Sequence, residues 1–346
     1  MLTTKAIVAE NNLITFKEIP CPELKEGQVR IRNICSLISP GTELYYAKAK
    51  SNSGPILLGY CSSGYVESLG EGVTGLSVGD RVIAMGLNYA IHAEKICVPY
   101  RLCVKIPDEL TFEKAVFANL LATAVHAVDR SLLKPYEKVL VVGAGLLGQL
   151  IAQCAHIYTP YVYISDFSKT RLKIAEKSGL KAIYPEDGSW CEPLLRAVNR
   201  TGVDKIFLCI SGEGTQAFSD ALSVLSSAPD GARRGRIICV GRVDARINFS
   251  VEMGNTDIIY SARCGLGYKD TEYEHGRTNY EMGTGEVTVT QKLEQSLQLI
   301  VTNKVNMNYI HTHRVVLDEA MEAYKMLGHQ DHAIGITIHY RNLMEK

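Results

Sequence analysis

Apolar positions follow two different rhythms along this chain of 346 residues. Over residues 1 to 110 they come in short runs separated by glycine and proline: Lys5 to Ala9, Leu13 to Glu18, Val29 to Ser36, Gly64 to Leu69, Arg81 to Met85, Glu94 to Val98 and Leu102 to Lys105. Short strands at that spacing predict a barrel-like antiparallel domain. Helical periodicity appears at Thr111 to Asn119 and Thr123 to Ser131. From Val139 strand and helix alternate, as a parallel sheet with crossover helices requires. The predicted strands are 139–142, 161–165, 181–184, 205–210, 236–240 and 257–265. The predicted helices are 146–156, 168–178, 189–200 and 214–226, with a short or irregular one near 251–256. Six such strands fit a doubly wound α/β fold. A tail of helix (Gln291 to Thr302), strand (Arg314 to Val316), helix (Leu317 to Leu327) and strand (Ile334 to Ile338) has too few elements to bury its own apolar faces. It is expected to return to the first domain.

The two rhythms meet at Lys138 to Arg171, KVLVVGAGLLGQLIAQCAHIYTPYVYISDFSKTR. A buried strand runs into Gly143, Gly145 and Gly148 at G-x-G-x-x-G spacing, then a helix, then a second strand ending on Asp166. The first glycine permits the tight turn, the second lets a pyrophosphate approach the backbone, and the third lets helix and strand pack closely. The helix N-terminus, at Leu146 and Leu147, supplies amide donors and dipole. Asp166 would accept from the adenosine ribose hydroxyls and repel a 2′-phosphate, which favours NAD(H) and leaves NADP(H) as the alternative. Phe167, Arg171, Ser211, Val240 and Gly241 complete the cofactor set expected within this sheet. Lys169 and Arg171 complicate the cofactor choice, and their simpler role is to solvate the following helix.

Lys plus Arg and Asp plus Glu both count 37, so no long-range field draws in nucleic acid or a charged membrane. The expected partner is a small molecule. No apolar run approaches the roughly 18 residues of a membrane span, and MLTTKAIVAE lacks the regions of a signal peptide, so the chain is expected to be cytoplasmic. The ten cysteines are scattered singly with no C-x-x-C pair, and read as reduced small hydrophobes. The turn PDGARRGR (Pro229 to Arg236) reads as a solvated loop rather than a phosphate grip.

The phrase GEGVTGLSVGDRVIAMG (Gly70 to Gly86), the strand pair HAEKICVPYRLCVKIPDEL (His92 to Leu110) and the turn DFSKTRLKIAEKSG (Asp166 to Gly179) together resemble the medium-chain dehydrogenase/reductase, zinc alcohol dehydrogenase-like superfamily. The resemblance implies a GroES-like β-barrel catalytic domain (1–122 with 271–346) and a Rossmann dinucleotide-binding domain (123–270), with substrate between them. It also implies that Thr123 touches the nicotinamide. The departures concern metal. At the positions of the family's catalytic zinc ligands this chain has Pro40, Tyr60 and Asn119, and the four-cysteine structural zinc lobe is absent. Zinc favours thiolate, imidazole or carboxylate in tetrahedral array, so no metal is expected.

Hydride transfer to a carbonyl then needs another source for the proton on oxygen. Tyr60 stands at the place of the lost His and is the first choice of proton donor; the alternative is that it fills the space left by metal and ligands. Thr42 matches the family's relay hydroxyl, and Tyr45 the outer His of that relay. Asn119 could hydrogen-bond substrate, Glu43 matches a supporting acid, His126 reads as a backbone or cofactor contact, and Cys61 as a packed thiol. The motif of Ser36, Ser39 and Gly41 to Glu43, with GYKDTEYEHG, looks like a subgroup of sugar, cyclitol and pigment-precursor dehydrogenases. The expectation is a zinc-independent NAD(H)-linked oxidoreductase acting on a small polar alcohol or ketone in biosynthesis. Reduction of a conjugated C=C bond or an imine, and a non-catalytic dinucleotide-binding role, are the alternatives. Tyr268 to Tyr280 reads as a lid, where Tyr268, Tyr273 and His275 could meet substrate, or as a subunit contact beside Ile258 to Cys264. Edge strands of that kind pair across dimers in relatives, so a homodimer is expected.

Overall fold

A computed structural model describes residues 3–49, 51–280, 287–329 and 331–340. In chain order its elements are β1 (Thr3–Glu10), β2 (Leu13–Pro20), β3 (Gln28–Leu37), α1 (Pro40–Ala49), β4 (Ile56–Leu57), β5 (Cys61–Leu69), β6 (Arg81–Met85), β7 (Lys95–Pro99), β8 (Cys103–Lys105), α2 (Phe112–Ala115), α3 (Ala118–Ser131), β9 (Val139–Val142), α4 (Leu146–Tyr158), β10 (Val162–Ser165), α5 (Lys169–Lys177), β11 (Lys181–Ile183), α6 (Cys191–Ala197), β12 (Lys205–Leu208), β13 (Gly212–Glu213), α7 (Thr215–Val224), β14 (Arg234–Cys239), β15 (Val243–Asp244), β16 (Asn255–Tyr260), α8 (Thr271–Glu274), α9 (Val289–Val301), β17 (His311–Val316), α10 (Ala320–His329) and β18 (Gly335–His339). They form two compact units, one of residues 1–122, 264–303 and 311–346, the other of residues 123–263 and 304–310. This division differs from the expected one at 264–270 and 304–310.

In the first unit, β3 is the spine of a seven-stranded sheet ordered β17-β18-β3-β5-β6-β8, with β7 also paired to β3. The pairs β3–β5, β5–β6, β6–β8, β3–β7 and β18–β3 are antiparallel. The pair β17–β18 is parallel, which the expectation of an antiparallel domain did not include; α10 lies between these strands in sequence, as a parallel pair requires. A separate sheet, β2-β1-β4, adds a second layer. Its Ile7 and Ala9 pack with Ile38, Ala47 of α1, Leu58, Ala320 and Ala323 of α10, and Ile336 and Ile338 of β18. Small residues on the two helices let them lie close to the strands.

Two elements of this unit depart from the apolar pattern. Helix α1 has no hydrophobic period, because its Pro-Gly opening and Tyr-Tyr centre mask it; it begins with proline at its first position, where the missing N–H costs nothing. The periodic stretches near 111–119 and 123–131 are a single turn (α2) and one continuous helix (α3) that starts at Ala118.

The second unit carries the parallel sheet β11-β10-β9-β12-β14-β16. Its central strands β9 and β12 are buried along their whole length, which explains why they read as continuous apolar runs rather than alternating ones. Leu140, Val142, Ile206, Leu208 and Ile237 pack on Trp190, Leu194, Phe218 and Ala221. The sixth strand ends at Tyr260, short of the expected residue 265. All ten cysteines are free.

Candidate active site

The dinucleotide cradle lies within the second unit. Gly143 has φ +101°, and a Cβ there would stand 2.6 Å from the carbonyl oxygen of Cys209, so glycine is required twice over. A Cβ on Gly148 would run into the carbonyl of Gly143, so glycine there sets how closely α4 packs on the turn. Gly145 is the N-cap of α4, and a Cβ on it would meet nothing within 4 Å. That open space beside the amides of Leu146 and Leu147 is where an anion would be received. The residues therefore fit a dinucleotide.

Asp166 is fixed at the end of β10. Its Oδ2 accepts from the Ala144 amide at 2.7 Å and its Oδ1 from the Ser168 amide at 2.8 Å, so the carboxylate braces the glycine turn it faces. Arg171 Nη1 stands 3.8 Å from Asp166 Oδ2. Arg171, on α5, is thus a neighbour of the Asp166 carboxylate. Phe167 is 74% exposed beside it. Gly241 passes so close to Ile210 that a Cβ would collide with its carbonyl; Val240 is buried and Ser211 exposed. Thr123 is half-buried and His126 buried on α3.

The second group lies within the first unit. Tyr60 follows Gly59, whose φ of +95° and lack of a side chain let the chain pass the His92 backbone, 2.6 Å from where a Cβ would lie. Tyr60 is half-buried and its hydroxyl donates to Ser39 Oγ at 2.6 Å. Burial pushes the phenol well above its usual pKa, the Cys61 thiol and the Glu43 carboxylate push the same way, and hydrogen bonds with Ser39 and Thr42 oppose them. The phenol is therefore a protonated donor, with Thr42 beside it. Tyr45 packs edge-on against Tyr46 at 5.7 Å. Cys61 is buried and its thiol is held well above the usual range, by burial first and then by Glu43, which makes it the packed thiol expected.

Asn119 is fully buried; its amide nitrogen donates to the carbonyls of Val116 at 3.1 Å and Ser62 at 3.4 Å, while its Oδ1 has no hydrogen-bond partner. The positions matched to zinc ligands thus hold a helix-opening proline, a phenol bonded to serine and an amide bonded to backbone. This donor set does not fit zinc. Among the described residues no group of three or more His, Cys, Asp or Glu is placed to hold a metal ion.

Around Glu43 the structure assembles residues that the sequence did not single out as a group. Glu43 is 2% exposed. Its Oε1 accepts from the Ser39 amide at 2.7 Å, and its Oε2 faces His92 Nε2 at 3.0 Å and accepts from the Tyr324 hydroxyl. His92 Nδ1 meets Ser36 Oγ at 2.7 Å, and Ser36 Oγ meets the Tyr340 hydroxyl at 2.8 Å. One signal for this was readable: Ser39 before Pro40, with an acid four residues on, has the composition of a helix N-terminus.

Of the Tyr268 to Tyr280 segment, Tyr268 approaches this site: its hydroxyl accepts from the Leu87 amide at 3.2 Å, and Cys264 and Cys61 add to burial in raising its pKa. Tyr273 is buried, stacked on Tyr280 and bonded to Thr290 Oγ1 at 2.9 Å; His275 lies 3.4 Å from the Gln28 amide and edge-on to Tyr89. Those two are packing residues of the first unit.

Residues 25–108 match the model of the alcohol dehydrogenase GroES-like domain. The chain is 30% identical to human synaptic vesicle membrane protein VAT-1 homolog-like over 59% of its length, and spans about half (49%) of that relative. It is 24% identical to a probable D-xylulose reductase A of Aspergillus terreus, over 90% of this chain and 91% of that protein. Among solved structures, alcohol dehydrogenase TADH from Thermus sp. ATN1 superposes with a TM-score of 0.79 at 21% identity, over 97% of this chain and 100% of that one. No helix among the described residues is long and apolar enough to cross a membrane. A GroES-like first unit, a parallel sheet with a glycine turn after β9 and relatives aligned along nearly the whole length make the chain similar, in sequence and in fold, to proteins of the medium-chain dehydrogenase/reductase superfamily.

Proposed function

We propose that this protein is a zinc-independent, NAD(H)-preferring oxidoreductase of a small polar ketone or its alcohol in biosynthesis, active as a cytoplasmic homodimer. The observation that carries the reading is the pairing of an intact dinucleotide cradle with a phenol kept protonated beside two hydroxyls. Bound NADH supplies the hydride. Tyr60 supplies the proton to the carbonyl oxygen as it gains charge, and Ser39 and Thr42, already bonded to the phenol, hold the phenolate that is left until solvent reprotonates it. Asp166 disfavours a 2′-phosphate, and Arg171 at 3.8 Å softens that preference. Asn119, with its unpaired Oδ1, and Tyr45 belong to the same proposed site, and Thr123, Phe167, Ser211, Val240 and Gly241 to the cofactor site. The exposed outer strand β16 is the surface proposed for the dimer.

Calorimetric titration of metal-analysed protein with NADH and with NADPH tests the cofactor half. Tighter NADH binding without stoichiometric zinc is expected; binding of neither would overturn the reading. A screen of ketones, enones and imines with NADH tests the chemistry. An alcohol product is expected, lost by about 10²- to 10⁴-fold in Tyr60→Phe, the usual worth of a general acid. A saturated carbonyl product would assign C=C reduction instead, and an amine would assign imine reduction.

A further inference from the structure

We propose that His92 is the positioning residue of the Tyr60 site: with Tyr324 it fixes the Glu43 carboxylate, which through the Ser39 amide fixes the hydroxyl that receives the phenol. This rests on the reading of Tyr60 as the acid. Hydrogen-bond chemistry assigns the donors along the chain. A carboxylate oxygen accepts, so Glu43 accepts hydrogen bonds from the Ser39 amide, the Tyr324 hydroxyl and His92 Nε2–H. With its proton on Nε2, a neutral imidazole has Nδ1 free to accept from Ser36 at 2.7 Å, and Ser36 in turn accepts from Tyr340 at 2.8 Å. Donation then runs in one direction, from Tyr340 through Ser36 and His92 to Glu43. Ser36 and His92 are 0% exposed, Glu43 2%, and Tyr324 and Tyr340 6% each.

The chain does not conduct a proton to Tyr60, because its last link is the Ser39 amide and not the Ser39 hydroxyl. What it transmits is position. Ser39 precedes Pro40, the first residue of α1, and Glu43 lies in the first turn of that helix. The carboxylate therefore locks the residue before α1 to the helix itself. His92 also anchors the opposite side by main chain: its amide donates to the Leu58 carbonyl at 2.8 Å, one residue before Gly59. One residue thus holds both partners of the Tyr60–Ser39 bond, one through its ring and one through its backbone. A metal ion in zinc-dependent enzymes holds ligands from separate segments in one place; here a buried carboxylate and imidazole do so.

The test is ¹⁹F NMR of protein labelled with 3-fluorotyrosine, the Tyr60 signal being assigned by its loss in Tyr60→Phe. In His92→Leu and Glu43→Gln the Tyr60 signal should shift and split as the phenol samples more than one position. His92→Gln, whose amide can still donate to Glu43, should restore the single wild-type signal. Should His92→Leu fail to fold, Tyr324→Phe removes one hydroxyl from the carboxylate and should shift the signal in the same direction. A Tyr60 signal identical to wild type in folded Glu43→Gln and Tyr324→Phe would overturn the proposal. The signal does not depend on turnover, so a failed ketone screen would sink the functional reading without deciding this one.

Discussion

Single side chains in this protein are set by what surrounds them, and His311 shows how far. It is 8% exposed; burial, then the Arg314 guanidinium, lowers its pKa to about 4, against the opposing pull of Glu113. Its Nε2 lies 2.8 Å from Thr337 Oγ1, and the same hydroxyl meets His339 at 3.0 Å. In the unfolded chain an imidazole titrates near 6.5. Between about 6.5 and 4 the unfolded state therefore binds the extra proton, so stability falls as pH is lowered through that window. Glu113, held below its usual range by Arg314 and His311 against the effect of burial, loses its contribution in the same direction, at still lower pH. We expect the melting temperature of His311→Gln to fall less steeply than wild type between pH 6.5 and 4, measured by calorimetry. Equal slopes would mean that His311 titrates alike in both states.

At the scale of elements, the turn from β9 into α4 separates folding from binding in adjacent glycines. A Cβ at Gly148 strikes the Gly143 carbonyl, whereas one at Gly145 meets open space, and the backbone there (φ −70°, ψ −176°) is open to any residue. Gly148→Ala should lower both the melting temperature and NADH affinity. Gly145→Ala should leave melting unchanged and weaken NADH binding at least tenfold, since the methyl would occupy only the ligand's space. Loss of stability in both would place Gly145 in the packing. This stretch was legible because a buried strand, three glycines, a helix and an acid each leave their own local signature. Helix α1 was not, because its stability comes from Ala47 packing under β1 and β18 and from Glu43 reaching Ser39, neither of which writes a period. Tyr60 drew notice only through the family resemblance, as the residue at the place of a ligand His. His92, Tyr324 and Tyr340 were not legible, because they reach Glu43 and Ser36 from distant segments and no spacing rule connects them.

At the scale of the whole molecule, the chain leaves the first unit after Ala122, builds the second, and comes back twice, at 264–303 and 311–346. The returning strand β18 is interior to its sheet, between β17 and β3, pairing Thr337 with Leu37 and His339 with Cys35. That placement has a consequence for synthesis. As the protein emerges from the ribosome, residues 123–310 hold all the strands of the parallel sheet, while the end of β3 from Cys35 to Leu37, beyond its pairing with β7, waits with one side unpaired until residue 339 has been made. In nascent chains arrested just after residue 310 has emerged, we expect proteolysis to spare β9 to β16 and to cut within β3 and β5; protection of both would show that the first unit forms without its last strand. Of the two units, the first is begun before the second and completed after it. Until the first is completed, the Tyr324 and Tyr340 hydroxyls are missing from the Glu43–His92 network, so the glycine turn after β9 is made before that network can close.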